Sequence, residues 1–177
     1  NIALAEEAVA LGFREIQYDY VRFPTDGDLS TADFGREYTA QAREDAITEF
    51  MRRSYESVHA AGGLLAADLF GFITIVDDEQ YIGQRFSRLE PYIDYVNMMI
   101  YPSHFWEGSM GFEVPNDHPY EVISLSLNNG MEYLSPHLKP KLRPWLQDFS
   151  YGVGIEYGDA EVRAQIDAAE EFGASGW

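Results

Sequence analysis

The sequence has no cysteine in 177 residues, which excludes thiol catalysis and a disulfide framework while leaving the compartment open. Basic residues are scarce. Twelve Lys and Arg stand against 30 Asp and Glu, a formal net charge of −18. Nucleic acids and anionic membrane surfaces need a basic face, so neither is expected as a main partner. No apolar run approaches the ~20 residues of a membrane-spanning helix. No glycine-rich phosphate loop follows an early strand, which argues against an open nucleotide-binding sheet. The four histidines lack H-x-x-x-H or H-x-H spacing, so a zinc hydrolase is disfavoured and no metal or cofactor is implied. His59 reads as a solvated helix residue, and His118 and His137 as surface residues beside proline turns.

What is present is a core. At 46 % hydrophobic and 15 % aromatic, the chain is too apolar to be disordered in bulk. Helix-spaced and strand-like segments alternate along it. Ile2 to Leu11 is helical and ends at Gly12; Glu15 to Phe23 is β-branched and aromatic and closes at Pro24. Gly35 to Ala61 is helical, with Tyr38, Ala42, Ile47, Phe50 or Met51, and Val58 as its stripe, and Gly62-Gly63 stops it. Leu64 to Phe72 reads as a strand buried on both faces. Glu79 to Leu89 reads as a helix, with Asp77-Asp78-Glu79 as its acidic start. Tyr92 to Tyr101 is a strand, Pro119 to Leu134 a helix, and Leu142 to Phe149 a strand despite Pro144. A helix from Asp159 to Phe172 follows, and Ala174 to Trp177 would open a fifth strand.

Five strands alternating with helices make an α/β chain with a parallel sheet. Polar groups at strand ends favour a (β/α)₈ TIM barrel over a doubly wound sheet. A complete barrel needs ~250 residues, so the expectation is a single partial barrel domain, 1–177, lacking its N-terminal strands. The chain opens within a helix and stops as a segment begins, as a piece of a longer protein would. Localisation stays open on this view, with an extracytoplasmic or cell-envelope site following if a signal precedes the fragment. Two unpartnered sheet edges lead us to expect that the chain alone is not a stable monomer.

Three carboxylates recur at corresponding points of three strands: Asp19 in Gln17-Tyr18-Asp19-Tyr20-Val21-Arg22, Asp68 in Ala66-Ala67-Asp68-Leu69-Phe70, and Asp148 in Trp145-Leu146-Gln147-Asp148. Neighbouring strands lie ~4.8 Å apart, which would bring Asp19 and Asp68 into the ~5–9 Å range used in glycoside hydrolysis. The plain alternatives are a salt bridge of Asp19 to Arg22, a loop-capping Asp68 and a backbone-bonded Asp148. Aromatic residues at strand ends and in the loops after them suit the apolar faces of sugars. Tyr101, Trp106 and Trp145 are the candidates here, while Tyr18 and Tyr20 read as core. Gln147 and His104 would hydrogen-bond hydroxyls, and Arg22 would set the charge state of a carboxylate.

The segments Ile16 to Pro24, Ala67 to Gly71, Met99 to Phe105, Arg143 to Phe149 and Gly173 to Trp177 together resemble the bacterial glycoside-hydrolase barrel domain long catalogued as a domain of unknown function. The resemblance implies strands four to eight of a (β/α)₈ barrel. Asp19, Asp68 and Asp148 then fall on strands four, five and seven, a distribution similar to the nucleophile, acid/base and stabilising carboxylates of the α-amylase clan. This chain departs from that clan in having Tyr18 before Asp19, Arg22 after it, and Asp68 where the clan has Glu.

The expected activity is O-glycoside hydrolysis of a polysaccharide. Asp19 would be nucleophile or base, Asp68 proton donor, and Asp148 and Gln147 hydroxyl holders, with Asp19 and Asp68 facing one cleft rimmed by Tyr101 and Asp148. A non-catalytic saccharide-binding barrel and a carbohydrate-active hydrolase of another bond type, such as a deacetylase, are the alternatives.

Overall fold

The computed structural model describes residues 1–35, 37–76, 78–132 and 141–177, with the backbone alone at Glu132. His137, Asp77 and the last two residues of the helix expected to reach Leu134 lie outside the described residues. The chain divides into two compact units, Asn1–Leu69 with Asp77–Tyr95, and Phe70–Val76 with Val96–Trp177. In chain order the elements are α1 (Ile2–Ala10), β1 (Glu15–Tyr18), α2 (Ala40–Ala60), β2 (Leu64–Phe70), α3 (Phe86–Leu89), β3 (Tyr95–Met99), α4 (Pro119–Glu132) and α5 (Asp159–Phe172). This is an α/β fold with parallel strands.

In the first unit β1 pairs with β2 in parallel, Gln17 opposite Ala66 and Tyr18 opposite Ala67. Strand β2 is buried from Leu65 to Leu69, as its continuous apolar run requires. Helix α2 starts where the Thr39 hydroxyl accepts the Ala42 N–H at 3.1 Å, five residues later than the periodicity suggested. Its stripe buries Met51 and Val58. Beyond it Gly62 takes φ +88°, and the Gly62 and Gly63 N–H groups return to His59 and Val58 carbonyls. His59 is more engaged than a solvated histidine: its ring stacks on Tyr55 and meets the Asp94 carboxylate at 2.7 Å. The same carboxylate accepts the Leu65 N–H.

Two expected elements shrink in this unit, for the same reason. The strand expected to run to Phe23 ends at Tyr18, because Tyr20 adopts φ +55° and the Arg22 N–H closes back on the Tyr20 carbonyl at 2.8 Å. The helix expected from Glu79 survives only as α3. Gln80 and Tyr81 both have positive φ, 53° and 61°, and the Ile82 N–H donates to the Glu79 carbonyl at 2.9 Å, the arrangement of a type I′ turn.

Such turns ordinarily use Asn and Gly. Two bulky residues in left-handed backbone cost roughly 1–2 kcal/mol each, so the surroundings must hold them there. Glu79 does so. Its buried carboxylate accepts the Gly83 N–H at 2.8 Å and draws on the Tyr81 N–H, while Arg43, also buried, pairs with it through Nε at 3.0 Å and through Nη2. The Arg43 guanidinium lies over the Tyr38 ring at 4.8 Å and the Tyr81 ring at 5.4 Å. A cation over an exposed ring contributes only ~0.5–1 kcal/mol, less than the strain it accompanies.

In the second unit α4 packs on α5. Pro119 opens α4 at the position where a missing N–H does no harm. Helix α5 begins where Glu161 accepts the Gly158 N–H at 2.9 Å and ends at Gly173, φ +80°. The strand expected over 142–149 is reduced to parallel bridges at Leu142 and Trp145, where the Arg143 and Trp145 N–H groups donate to Val96 and Met98. Pro144 has no N–H to add, and the Gln147 N–H goes to the Gln165 side chain instead. The segment 174–177 is not a strand, although the Ser175 N–H reaches the Leu142 carbonyl at 2.7 Å.

Two expectations follow. A methyl group on Gly71 would sit 2.5 Å from the Met99 carbonyl oxygen, a backbone atom that cannot swing aside. Gly71→Ala should cost about 2–3 kcal/mol, measured by urea denaturation. For Glu79, burial acts to raise the carboxyl, but hydrogen bonds from Arg43 and Gly83 outweigh it and hold it below the ordinary value of 4.5. Its stabilising contribution is therefore full above that value and is lost as pH falls through the lowered one. Glu79→Gln should destabilise the protein by about 3 kcal/mol near neutral pH, and the gap from wild type should narrow steadily below pH ~4.5.

Candidate functional site

Asp68 lies within β2 rather than at its end and is 5 % exposed. A carboxylate so placed needs donors, and the Gln17 amide of β1 supplies one at 2.6 Å. Register explains the meeting: Gln17 pairs with Ala66, and Asp68 is two residues on, on the same face of a parallel pair. Asp19 immediately follows β1, is exposed, and accepts the Tyr20 N–H at 2.7 Å. Arg22 reaches the Phe23 carbonyl, the Thr25 hydroxyl and, at 3.8 Å, Asp26. Tyr20 corrects an expectation. It is 73 % exposed, not a core aromatic, while Tyr18 packs on Phe50 at 5.2 Å.

The other predicted residues belong to the second unit. Tyr101 follows β3, and its ring meets His104 at 5.3 Å and Phe149 at 5.5 Å. His104 also packs on Tyr151, and Ser103 Oγ lies 3.1 Å from its Nδ1. Desolvation among these rings holds the imidazole below the ordinary histidine value. It is a neutral ring at neutral pH, able to donate from one nitrogen and accept at the other. Trp106 is 52 % exposed and leans on Phe72 at 5.1 Å; Trp145 and Asp148 are exposed as well.

Gln147 stands apart. It is fully buried. Its Oε1 accepts the Ser103 N–H at 3.0 Å, and its Nε2 donates to Asn116 Oδ1 at 3.2 Å and to the Phe149 carbonyl at 2.8 Å. Gln165 completes the set by bonding both backbone groups of Gln147 at 2.8 Å. An amide so engaged acts on the protein. It ties the loop after β3 to the loop after Trp145, and thereby positions Tyr101, His104 and Phe149.

Sequence reasoning missed the concavity beside this network. A cavity of about 430 Å³ is lined by Ser103, Phe105, Glu107, Glu113 and Asn116 among others. Its acids lie in an irregular stretch bracketed by prolines, and no periodicity marks them. Among the described residues, no group of three or more His, Asp or Glu side chains is arranged to hold a metal ion, and no helix is long and apolar enough to cross a membrane.

The whole chain, residues 1–177, matches the family described as "Putative glycosyl hydrolase domain". The chain belongs to this family. Solved structures with a related fold include the PgaB (BpsB) glycoside hydrolase domain from Bordetella bronchiseptica, 15 % identical over 78 % of this chain and 38 % of that one, with a TM-score of 0.56. The spore cortex-lytic enzyme SleL from Bacillus megaterium QM B1551 is 11 % identical over 98 % of this chain and 46 % of its own, also with a TM-score of 0.56. At these identities the likeness shows the fold alone, and the chain spans less than half the length of either structure. No curated protein matches the chain.

Within this family member, the Gln147 network carries a direct expectation. Gln147→Leu preserves bulk but strands the Ser103 N–H, the Asn116 Oδ1 and the Phe149 carbonyl. A loss of about 2–4 kcal/mol should follow from those unmet groups, read by thermal or chemical denaturation.

Proposed function

We propose that the chain is the catalytic part of an O-glycoside hydrolase acting on a polysaccharide through the carboxylates of Asp19 and Asp68. The observation that carries this reading is Asp68 itself: a carboxylate buried within β2, hydrogen-bonded to Gln17 of β1, two residues before Asp19. Membership of a glycosyl-hydrolase family across the full chain supports it. Asp68 acts as the proton donor to the leaving oxygen, since a buried carboxyl is shielded from bulk water until substrate arrives. Asp19, exposed at the strand's end, acts as nucleophile or as the base that activates water. The glycosidic C–O bond breaks and the leaving oxygen takes the proton of Asp68; water then gives its hydroxyl to the anomeric carbon and its proton to a carboxylate, Asp19 where it acts as base or Asp68 where Asp19 is the nucleophile.

In this reading Arg22 adds positive charge beside the Asp19 segment. Asp148, Tyr101, His104, Trp106 and Trp145 contact the saccharide, the rings by stacking and the polar groups through hydroxyls. Gln147 contributes by fixing the loops that carry them. We further propose that the strands are the fourth to eighth of a (β/α)₈ barrel and that 1–177 forms one partial catalytic domain.

Reducing-end release from a glycan panel tests the proposal. Asp19→Asn and Asp68→Asn should each lower release by about 10²–10⁴-fold while leaving glycan binding in place. Binding without release in the wild-type protein would identify a saccharide-binding module instead.

A further inference from the structure

Four non-glycine residues among those described hold positive φ, and two of them are exposed aromatics: Tyr20 at 55° and Tyr81 at 61°, each 73 % exposed. Neither ring is buried, so core packing does not account for a tyrosine at either place. Glycine or asparagine would suit the backbone better at both. Strain of this kind persists where the surroundings over-determine it and where the side chain has a use.

The surroundings here are specific. Each ring has a guanidinium on one face, Arg22 over Tyr20 at 5.3 Å and Arg43 over Tyr81 at 5.4 Å. Arg43 is itself fixed by its buried pair with Glu79, whose carboxylate also binds the turn that carries Tyr81. The two segments are joined directly: the Phe23 N–H donates to the Ile82 carbonyl at 2.9 Å, and Gln84 Nε2 donates to the Val21 carbonyl at 3.1 Å. Tyr20 adjoins Asp19 in sequence and gives it a backbone hydrogen bond. Two exposed rings thus stand on hydrogen-bonded segments, and one of them, Tyr20, adjoins the carboxylate proposed for the chemistry.

We propose that Tyr20 and Tyr81 are stacking platforms that seat pyranose rings of the substrate in the first unit, and that the glycan seated there carries no anionic groups. The inference rests on the glycoside-hydrolase reading and extends it to substrate class. A pyranose with equatorial hydroxyls presents a face of C–H groups, the shape and polarity a flat tyrosine ring accepts. A tyrosine has two side-chain torsions, so a ring on a fixed turn has little conformational entropy to lose on binding. A net charge of −18 repels polyanions and leaves neutral or cationic glycans as ligands.

Isothermal titration calorimetry with cellohexaose, chitohexaose and hexagalacturonate tests this on the full-length wild-type protein and on its Tyr20→Gly, Tyr81→Gly, Tyr20→Phe and Tyr81→Phe variants. The wild type should bind at least one neutral hexasaccharide and not hexagalacturonate. Each glycine variant should weaken that binding at least tenfold with an unchanged or higher melting temperature, because glycine relieves the backbone. Each phenylalanine variant should stay within threefold of wild type. Glycine variants that bind as tightly as wild type, or preference for hexagalacturonate, would overturn the inference. Hydrolysis elsewhere in the glycan panel with neither neutral hexasaccharide bound overturns the platforms alone. Absence of both binding and hydrolysis overturns the parent reading with them.

Discussion

A charge taken out of water must be met where it lands, and in the first unit Arg43 and Glu79 meet each other. Neither could be buried alone without a penalty of several kcal/mol. Paired, they turn helix α2 into an anchor for chain that has no regular structure of its own. The turn at 79–83 takes its shape from the Glu79 carboxylate, and the Phe23 backbone then fastens to that turn through Ile82. Phe23, Phe34 and Tyr38 pack as an aromatic group, and the Tyr38 ring carries the same guanidinium. The long connection after β1 is therefore organised from the side, by an ion pair distant in sequence from Asp19.

The second unit solves the corresponding problem with amides instead of charges. Gln147 and Gln165 exchange backbone-to-side-chain hydrogen bonds in both directions, and Asn116 extends the chain to the Val153 carbonyl. Neutral amides cost less to bury than ions and carry donors and acceptors together. They suit a place where several loops converge and no single partner has a formal charge. The result is a framework that leaves the nearby rings of Tyr101, His104 and Phe149 with fixed neighbours.

Much of this was legible in the residues. The buried run of β2, the helices α1, α2, α4 and α5, and Gly173 as a terminator all follow from local pattern. Asp68 could be singled out as a strand-end carboxylate matching Asp19 and Asp148, although the strand continues past it to Phe70. What escaped notice depended on distant partners. Glu79 looked like a helix start because its neighbours are acidic, and only Arg43, 36 residues away, reveals why it forms a turn. Tyr20 continued a β-rich pattern that its backbone abandons. Gln147 read as a hydroxyl binder because sequence gives no measure of how many partners an amide already has. Glu107 and Glu113 line a cavity that exists only once the loops are folded.

Pro144 has an effect beyond shortening a strand. Among the described residues, the Arg143 and Trp145 N–H groups donate to β3 and the Arg143 side chain reaches Asn97, a short ladder that penalises sliding weakly. Its alignment is set from outside the sheet, by Gln165 of α5 gripping Gln147 and by Ser175 gripping Leu142. A single change at Gln165 therefore shifts where Asp148 and Phe149 come to rest, without altering any residue of the segment itself.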